Sequence, residues 1–163
     1  GRLIRGRNGA AGEIGHLAYP FAPGQTPVAG EAEAYLGTEM LMQRVRQAWP
    51  EAAATAAPED AGALFLRAEN GDAVARDHVE RHAADIGALV ASCVAIVDPG
   101  LVVLGGGVGT SQLILPVVRT VANALSYPVS IETSSLGPDA TVLGIEKLAV
   151  DRALDVVLAQ PSP

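Results

Sequence analysis

The chain has 163 residues, 49% of them hydrophobic and 18% charged, which gives room for one domain with its own core and excludes the disordered class. A net charge of −7 argues against this chain being the surface that docks on a phosphate backbone, because that affinity comes from clustered Lys and Arg. Cys93 is the single cysteine, so no intrachain disulfide can form, and a reducing cytoplasmic setting fits.

Residues 1 to 19 read as two extended pieces, "RLIRG" and "IGHLAY", joined by the glycine-rich turn "NGAAGEIGH". The opening has no apolar core of a signal peptide and no initiator Met, and is expected to begin inside a larger protein. "PFAPGQTPVAGE", Pro20 to Glu31, holds three prolines and two glycines and is expected to be a loop. A helical pattern runs from Glu31 to Trp49, with Ala34, Leu41 and Val45 as buried candidates. Residues 50–58 form a low-complexity connector, and a short helix follows that stops near Asn70-Gly71. Residues 31–70 together suggest a small peripheral lobe.

The strongest periodicity lies in 72–97, where Val79, Ala83, Ile86, Val90, Cys93 and Val97 recur every three or four residues. The apolar run Ile86 to Val97 is too short to span a bilayer, which takes about 20 residues. Within it Cys93 reads as a small buried hydrophobe. Asp98-Pro99-Gly100 ends that helix. "LVVLGGG", Leu101 to Gly107, then reads as a buried parallel strand running into a glycine turn. Ser111 is a candidate cap for a helix over "QLILPVVRTVANAL", with Pro116 in its first turn. "PVSIETS" is a second strand, "SLGPDA" a turn, and Thr141 to Leu158 a final helix. Strand, helix, strand, helix implies an α/β layer with parallel strands over 72–158.

Two constellations offer chemistry. Glycines 105, 106 and 107 remove Cβ atoms at the carboxyl end of a strand, where α/β sheets bind ligands; the turn serves either nucleotide contact or tight packing. Glu13 and His16 suit the hydroxyls of a sugar, a carboxylate being a strong acceptor, or else bond to each other and tie down a turn. His78 and His82, one helical turn apart with Asp85 beyond, have a spacing that can bind metal. They read more simply as a solvated charged flank, "RDHVERHAAD". No Ser/His/Asp or Cys/His catalytic set is legible.

Taken together, "GRLIRGRNGAAGEIGHL", "VASCVAIVDPGLVVLGGGV" and "SSLGPDATVLGIEKLAVDRAL" resemble the ROK family of bacterial sugar kinases and sugar-responsive repressors. The resemblance implies the C-terminal lobe of an actin-like, ribonuclease-H-like ATPase fold. It assigns Glu13 and His16 of the E-x-G-H motif to sugar hydroxyls, adds Glu33 from "AEAYLG" with Gly37 in place of a serine, and puts Gly105, Gly106 and Gly107 on the nucleotide side. It also exposes departures. The cysteine knuckle that binds zinc in most members is replaced by the cysteine-free loop 20–30. Zinc is therefore not expected, and the loop is expected to depend on proline stiffness or to move.

The D-x-G-x-T phosphate segment, the aspartate base and the second phosphate turn of the family are not in these residues and would precede residue 1. Phosphoryl transfer by this chain alone is not expected, and no catalytic residue is assigned; ATP belongs only to a complete kinase. The expected function is the sugar or sugar-phosphate binding portion of a ROK transcriptional regulator. DNA would be reached through a further N-terminal domain. The alternative is a fragment of an ATP-dependent hexose or N-acylhexosamine kinase. A third reading is a fold partner that binds nothing and dimerises through the Val79 to Val97 helix or its neighbours. A homo-oligomer, with no membrane contact, is expected in each case.

Overall fold

A computed structural model describes residues 3–20, 23–51, 53 and 55–158. Its spine is α4 (Ala73–Val97), started by Asp72, whose side chain accepts from the amides of Val74 and Ala75 at 3.0 and 3.1 Å. Such a cap satisfies amides that have no partner inside the helix. The helix ends at Asp98, whose φ of 47° turns the chain into the left-handed region ahead of Pro99. The other helices are α1 (Glu31–Leu36), α2 (Thr38–Ala48), α3 (Ala61–Glu69), the single turn α5 (Gly106–Gly109), α6 (Ile114–Leu125) and α7 (Ala140–Leu158). Asp60 caps α3 through the amide of Ala63 at 2.8 Å.

β1 (Leu101–Leu104) and β2 (Ser130–Thr133) pair in parallel, with Leu101 opposite Ser130 and Leu104 opposite Thr133. Parallel neighbours need a crossover, and α6 supplies it. Arg119 of α6 fastens the crossover to the sheet: its Nε donates to the Ile131 carbonyl at 2.7 Å and Nη2 pairs with Glu132 at 2.8 Å. Pro116 sits in the first turn of α6, where its missing N–H costs nothing.

The core lies between α4, α3, α2 and α6 and is built from Val45, Leu64, Val79, Val94, Ile114 and Val118, with Ile131 from the sheet. α6 crosses α4 closely at Gly87, where a Cβ would lie 2.8 Å from Cβ of Val121. Much of the apolar stripe of α4 packs against α3 and α6, while its last turn stays open at Ile96 and Val97.

Several expectations change. "IGHLAY" is not extended: Ile14–His16 form one 3-10 turn, and residues 3–6 make no strand. Gly1, Arg2, Phe21, Ala22, residues 52 and 54 of the connector, and 159–163 lie outside the described residues. The helical stretch 31–49 is two helices broken at Gly37, and Ala32, not Ala34, is buried. Val97 is exposed, and His82 is buried to 2% within the supposed solvated flank, because the stripe drifts round a 25-residue helix. β1 is half-open, with Leu101 and Val103 exposed, since only α4 and α6 cover one face. No residue of 141–158 in α7 is buried. Among the described residues no helix is long and apolar enough to cross a membrane.

Gly87→Val forces α6 away from α4 and should cost about 1–3 kcal/mol by overpacking, read as a lower urea midpoint with unchanged slope. His82 gives a second readout. Burial first, then the Arg44 charge, push its pKa down to about 4, below the roughly 6.5 of the unfolded chain. The unfolded state then takes up the proton first. Stability should be full above about pH 6.5 and fall as pH drops towards 4, a loss that His82→Gln reduces.

Candidate functional site

Ile14–His16 is carried on a turn that glycines make possible: Gly9 and Gly12 have φ of 76° and 89°, a region that side chains disfavour. The chain doubles back so that the Ala11 amide donates to the Arg5 carbonyl at 3.1 Å and the Ile14 amide to the Gly12 carbonyl at 2.7 Å. The turn then presses on α1. A Cβ on Gly15 would lie 3.1 Å from Cβ and 3.3 Å from Oε2 of Glu33, and the Ala32 amide donates to the Leu17 carbonyl at 3.0 Å. The glycine between Glu13 and His16 is thus the residue that lets their turn approach Glu33.

Glu13, His16 and Glu33 are all solvent-exposed. The His16 amide donates to the Glu13 carbonyl at 3.2 Å, but the Glu13 side chain makes no capping bond, so the backbone and not a carboxylate–imidazole tie closes the turn. Beside Gly15 and Glu33 is a hollow of about 270 Å³, walled by Ile14, Ala32, Leu36, Gly37 and Leu89. Glu13 and His16 stand on the same turn outside that wall. Gly37 has its own reason: a Cβ there would meet the Glu33 carbonyl at 2.8 Å, so the break between α1 and α2 needs glycine.

The loop after His16 is held by side chains rather than by proline alone. Tyr19 donates its hydroxyl to the Asp85 carbonyl of α4 at 2.9 Å, and Tyr35 of α1 donates to Oδ2 of the same residue at 3.0 Å. The two rings meet edge to face at 6.4 Å, a geometry that favours aromatic pairs. Burial, and after it Asp85, raise both phenol pKa values, so both stay protonated as donors. Tyr19, Tyr35 and Asp85 were missed at the sequence level, although both tyrosines lie in the quoted motifs. Among the described residues no three His, Cys, Asp or Glu side chains group as a metal site would need.

The glycine turn lines a second hollow of about 630 Å³, with Gly105, Gly106 and Gly107 facing Phe65 and Glu69 of α3. Gly106 has φ of 76°, and the Thr110 hydroxyl donates to its carbonyl at 2.9 Å. The glycines take the shape of a short helix, α5, rather than an open turn. Among the described residues the wall carries one carboxylate, Glu69, and no Lys or Arg. Phe65 and Glu69 were not foreseen, because α3 reads only as a peripheral helix. Thr38 lines this hollow and Gly37 the smaller one, so the two meet at the start of α2.

Against known proteins, the ROK family model matches residues 1–152. The N-acetylmannosamine kinase of Salmonella typhi is 34% identical over 155 residues, covering 91% of this chain and 50% of that protein. A ROK family glucokinase from Streptomyces griseus, solved with glucose and AMPPNP, superposes with a TM-score of 0.77 at 27% identity, over 90% of this chain and 54% of the glucokinase. A ROK family transcriptional regulator, homologous to the E. coli MLC protein, superposes with a TM-score of 0.60 at 20% identity, over 82% of this chain and 37% of the regulator. The last likeness is one of fold. The chain spans about half the length of the kinases it matches.

Tyr19→Phe removes the hydroxyl that pins the loop, leaving the Asp85 carbonyl without that donor. A loss of about 1 kcal/mol and faster amide exchange at Leu17 and Ala18 are expected. Unchanged exchange at those amides would mean that the loop is held elsewhere.

Proposed function

The chain belongs to the ROK family, and from that premise we propose that it is the sugar-binding portion of a ROK transcriptional regulator. One observation carries the reading. The sugar-side residues are gathered on elements pressed and bonded together, with Gly15 against Glu33 and Tyr19 on α4, while the glycine-turn hollow offers a carboxylate and no cation to a polyphosphate. In a chain of net charge −7, a neutral polyol is the better-suited ligand.

In this reading the Glu13 and Glu33 carboxylates accept from vicinal hydroxyls, charge-assisted bonds being about twice as strong as neutral ones. His16, free of metal, donates to or accepts from a third hydroxyl. A bound sugar shifts a regulator only if it favours one of two conformations. Here the movable unit is the 3-10 turn with its loop, anchored at Tyr19. DNA contact belongs to a part of the protein outside these residues, and the protein acts as a homo-oligomer in the cytoplasm without a structural zinc.

A second reading, the sugar-binding half of a hexose or N-acylhexosamine kinase, is favoured by the identity with N-acetylmannosamine kinases and by the meeting of the two hollows at Gly37 and Thr38. There Phe65 and the glycines would receive the base of ATP, and phosphate grip and proton removal would come from other segments.

Calorimetric titration with glucose and with N-acetylmannosamine separates the readings. One sugar should bind saturably, Glu13→Gln should weaken it about tenfold or more, the loss of a charged hydrogen bond, and EDTA should leave the affinity unchanged. AMPPNP should not bind. Saturable AMPPNP binding that Phe65→Ala removes would turn the assignment to the kinase, and an unaltered affinity in Glu13→Gln would remove the sugar site.

A further inference from the structure

Between α2 and the middle of α4, with Tyr35 of α1 in its wall, lies a cavity of about 390 Å³ that the sugar reading does not use. Its wall includes Tyr35, Arg44, Gln47, Arg81, His82 and Asp85. Two of these are left incomplete by the protein. Arg44 is half-buried, forms no ion pair among the described residues, and spends Nη1 on the Tyr35 carbonyl at 2.7 Å while lying over the Tyr35 ring at 4.2 Å from its centroid. A guanidinium carries five N–H donors, so most of its capacity is unspent. His82 is 2% exposed, and its Nδ1 has no hydrogen-bond partner, an omission that costs roughly 1–3 kcal/mol in a buried group.

Both deficits lie in one wall. A guanidinium there has no anion among the described residues, and an imidazole there has a ring nitrogen with no polar partner. The alternatives fit less well. A divalent cation would meet the Arg44 charge, and no metal-binding group of three is present among the described residues. The Asp85 carboxylate in the wall is turned to other work, accepting the Tyr35 hydroxyl at 3.0 Å.

We propose that this cavity binds a small oxyanion, orthophosphate or the phosphate group of an ester, with Arg44 as its principal donor, Arg81 and Gln47 at the exposed rim, and His82 on the inner wall. Arg81 is free to swing, because its 3.0 Å pair with Asp77 joins side chains that are 76% and 56% exposed, and such pairs are weak. The site is separate from Glu13, Glu33 and the glycine turn, and its test does not depend on theirs.

His82 reports on occupancy. The charged and titratable groups around it are Arg44 from α2, Tyr35 from α1, Tyr19 from the loop, and His78, Arg81 and Asp85 from α4 itself. Burial and Arg44 hold it neutral at pH 7. A bound oxyanion cancels the Arg44 charge and accepts from the imidazolium, and opposite charges at this range raise such a pKa by about one to three units. The anion then binds more tightly as pH falls.

Sulfate is the probe, since it does not titrate between pH 5 and 7.5. Following the His82 ring resonances of the purified protein by NMR, sulfate should shift them saturably, raise the His82 pKa by about two units, and bind roughly tenfold tighter at pH 5 than at pH 7.5. Arg44→Met should abolish the saturable shift and Arg44→Lys should retain it weakened. If Arg44→Met fails to fold, the titration of the unmodified protein decides alone. Inorganic phosphate and glucose 6-phosphate separate the two sources: tighter binding of the ester assigns an ester, and equal or tighter binding of phosphate assigns the free anion. His82 resonances that do not move at tens of millimolar sulfate, or that move only in parallel with those of His16 and without saturation, would overturn the site and leave water as the partner of Nδ1.

Discussion

The close crossing of α4 and α6 at Gly87 is the constraint that everything else in the molecule depends on. With no Cβ on α4 at that point, Val121 sits where a side chain would otherwise be, and the two longest packed helices bring Val79, Val94, Ile114 and Val118 into one core. α6 in turn fixes the parallel pair, since Arg119 holds the β2 backbone at Ile131. The same α4 offers Asp85 to both Tyr19 and Tyr35, beside the 3-10 turn and on α1. Core, sheet and candidate site are thus referred to one helix, whose start and stop are each set by a single aspartate.

Much of this was legible beforehand because its signals are local. The periodicity of 72–97 and its stop at Asp98-Pro99-Gly100 give α4, the apolar "LVVL" stops at glycines, and the α3 helix ends at Asn70-Gly71. The failures share one origin, that burial is decided by what arrives from elsewhere. His82 looks like part of a charged flank, and only the packing of neighbouring helices buries it. Leu101 and Val103 look like a buried strand, but one face of the pair has no cover among the described residues. "IGHLAY" alternates like a strand, yet the tight approach of Gly15 to Glu33 curls its first half into a 3-10 turn.

The site was half legible. Glu13, His16, Glu33 and the three glycines are candidates that motif resemblance names, and the structure brings the first turn and Glu33 against each other while keeping the glycines on an adjoining hollow. What holds them was not found, because Tyr19 and Asp85 are 66 residues apart and no spacing rule links them. The stretch that follows His16 is held by one phenol on a helix carbonyl, an edge-to-face ring pair and one backbone bond, contacts that each contribute on the order of 1 kcal/mol.

The central claim is that sugar is received on the 3-10 turn and α1 and that the glycine turn is not engaged with it. Amide shift mapping of the protein with saturating sugar addresses it directly. The account predicts changes at Gly15, His16 and 32–37, spreading to Leu17 and Tyr19, with Gly105, Gly106 and Gly107 unmoved. Changes centred on 105–107, or a turn at 14–16 that does not respond, would contradict it.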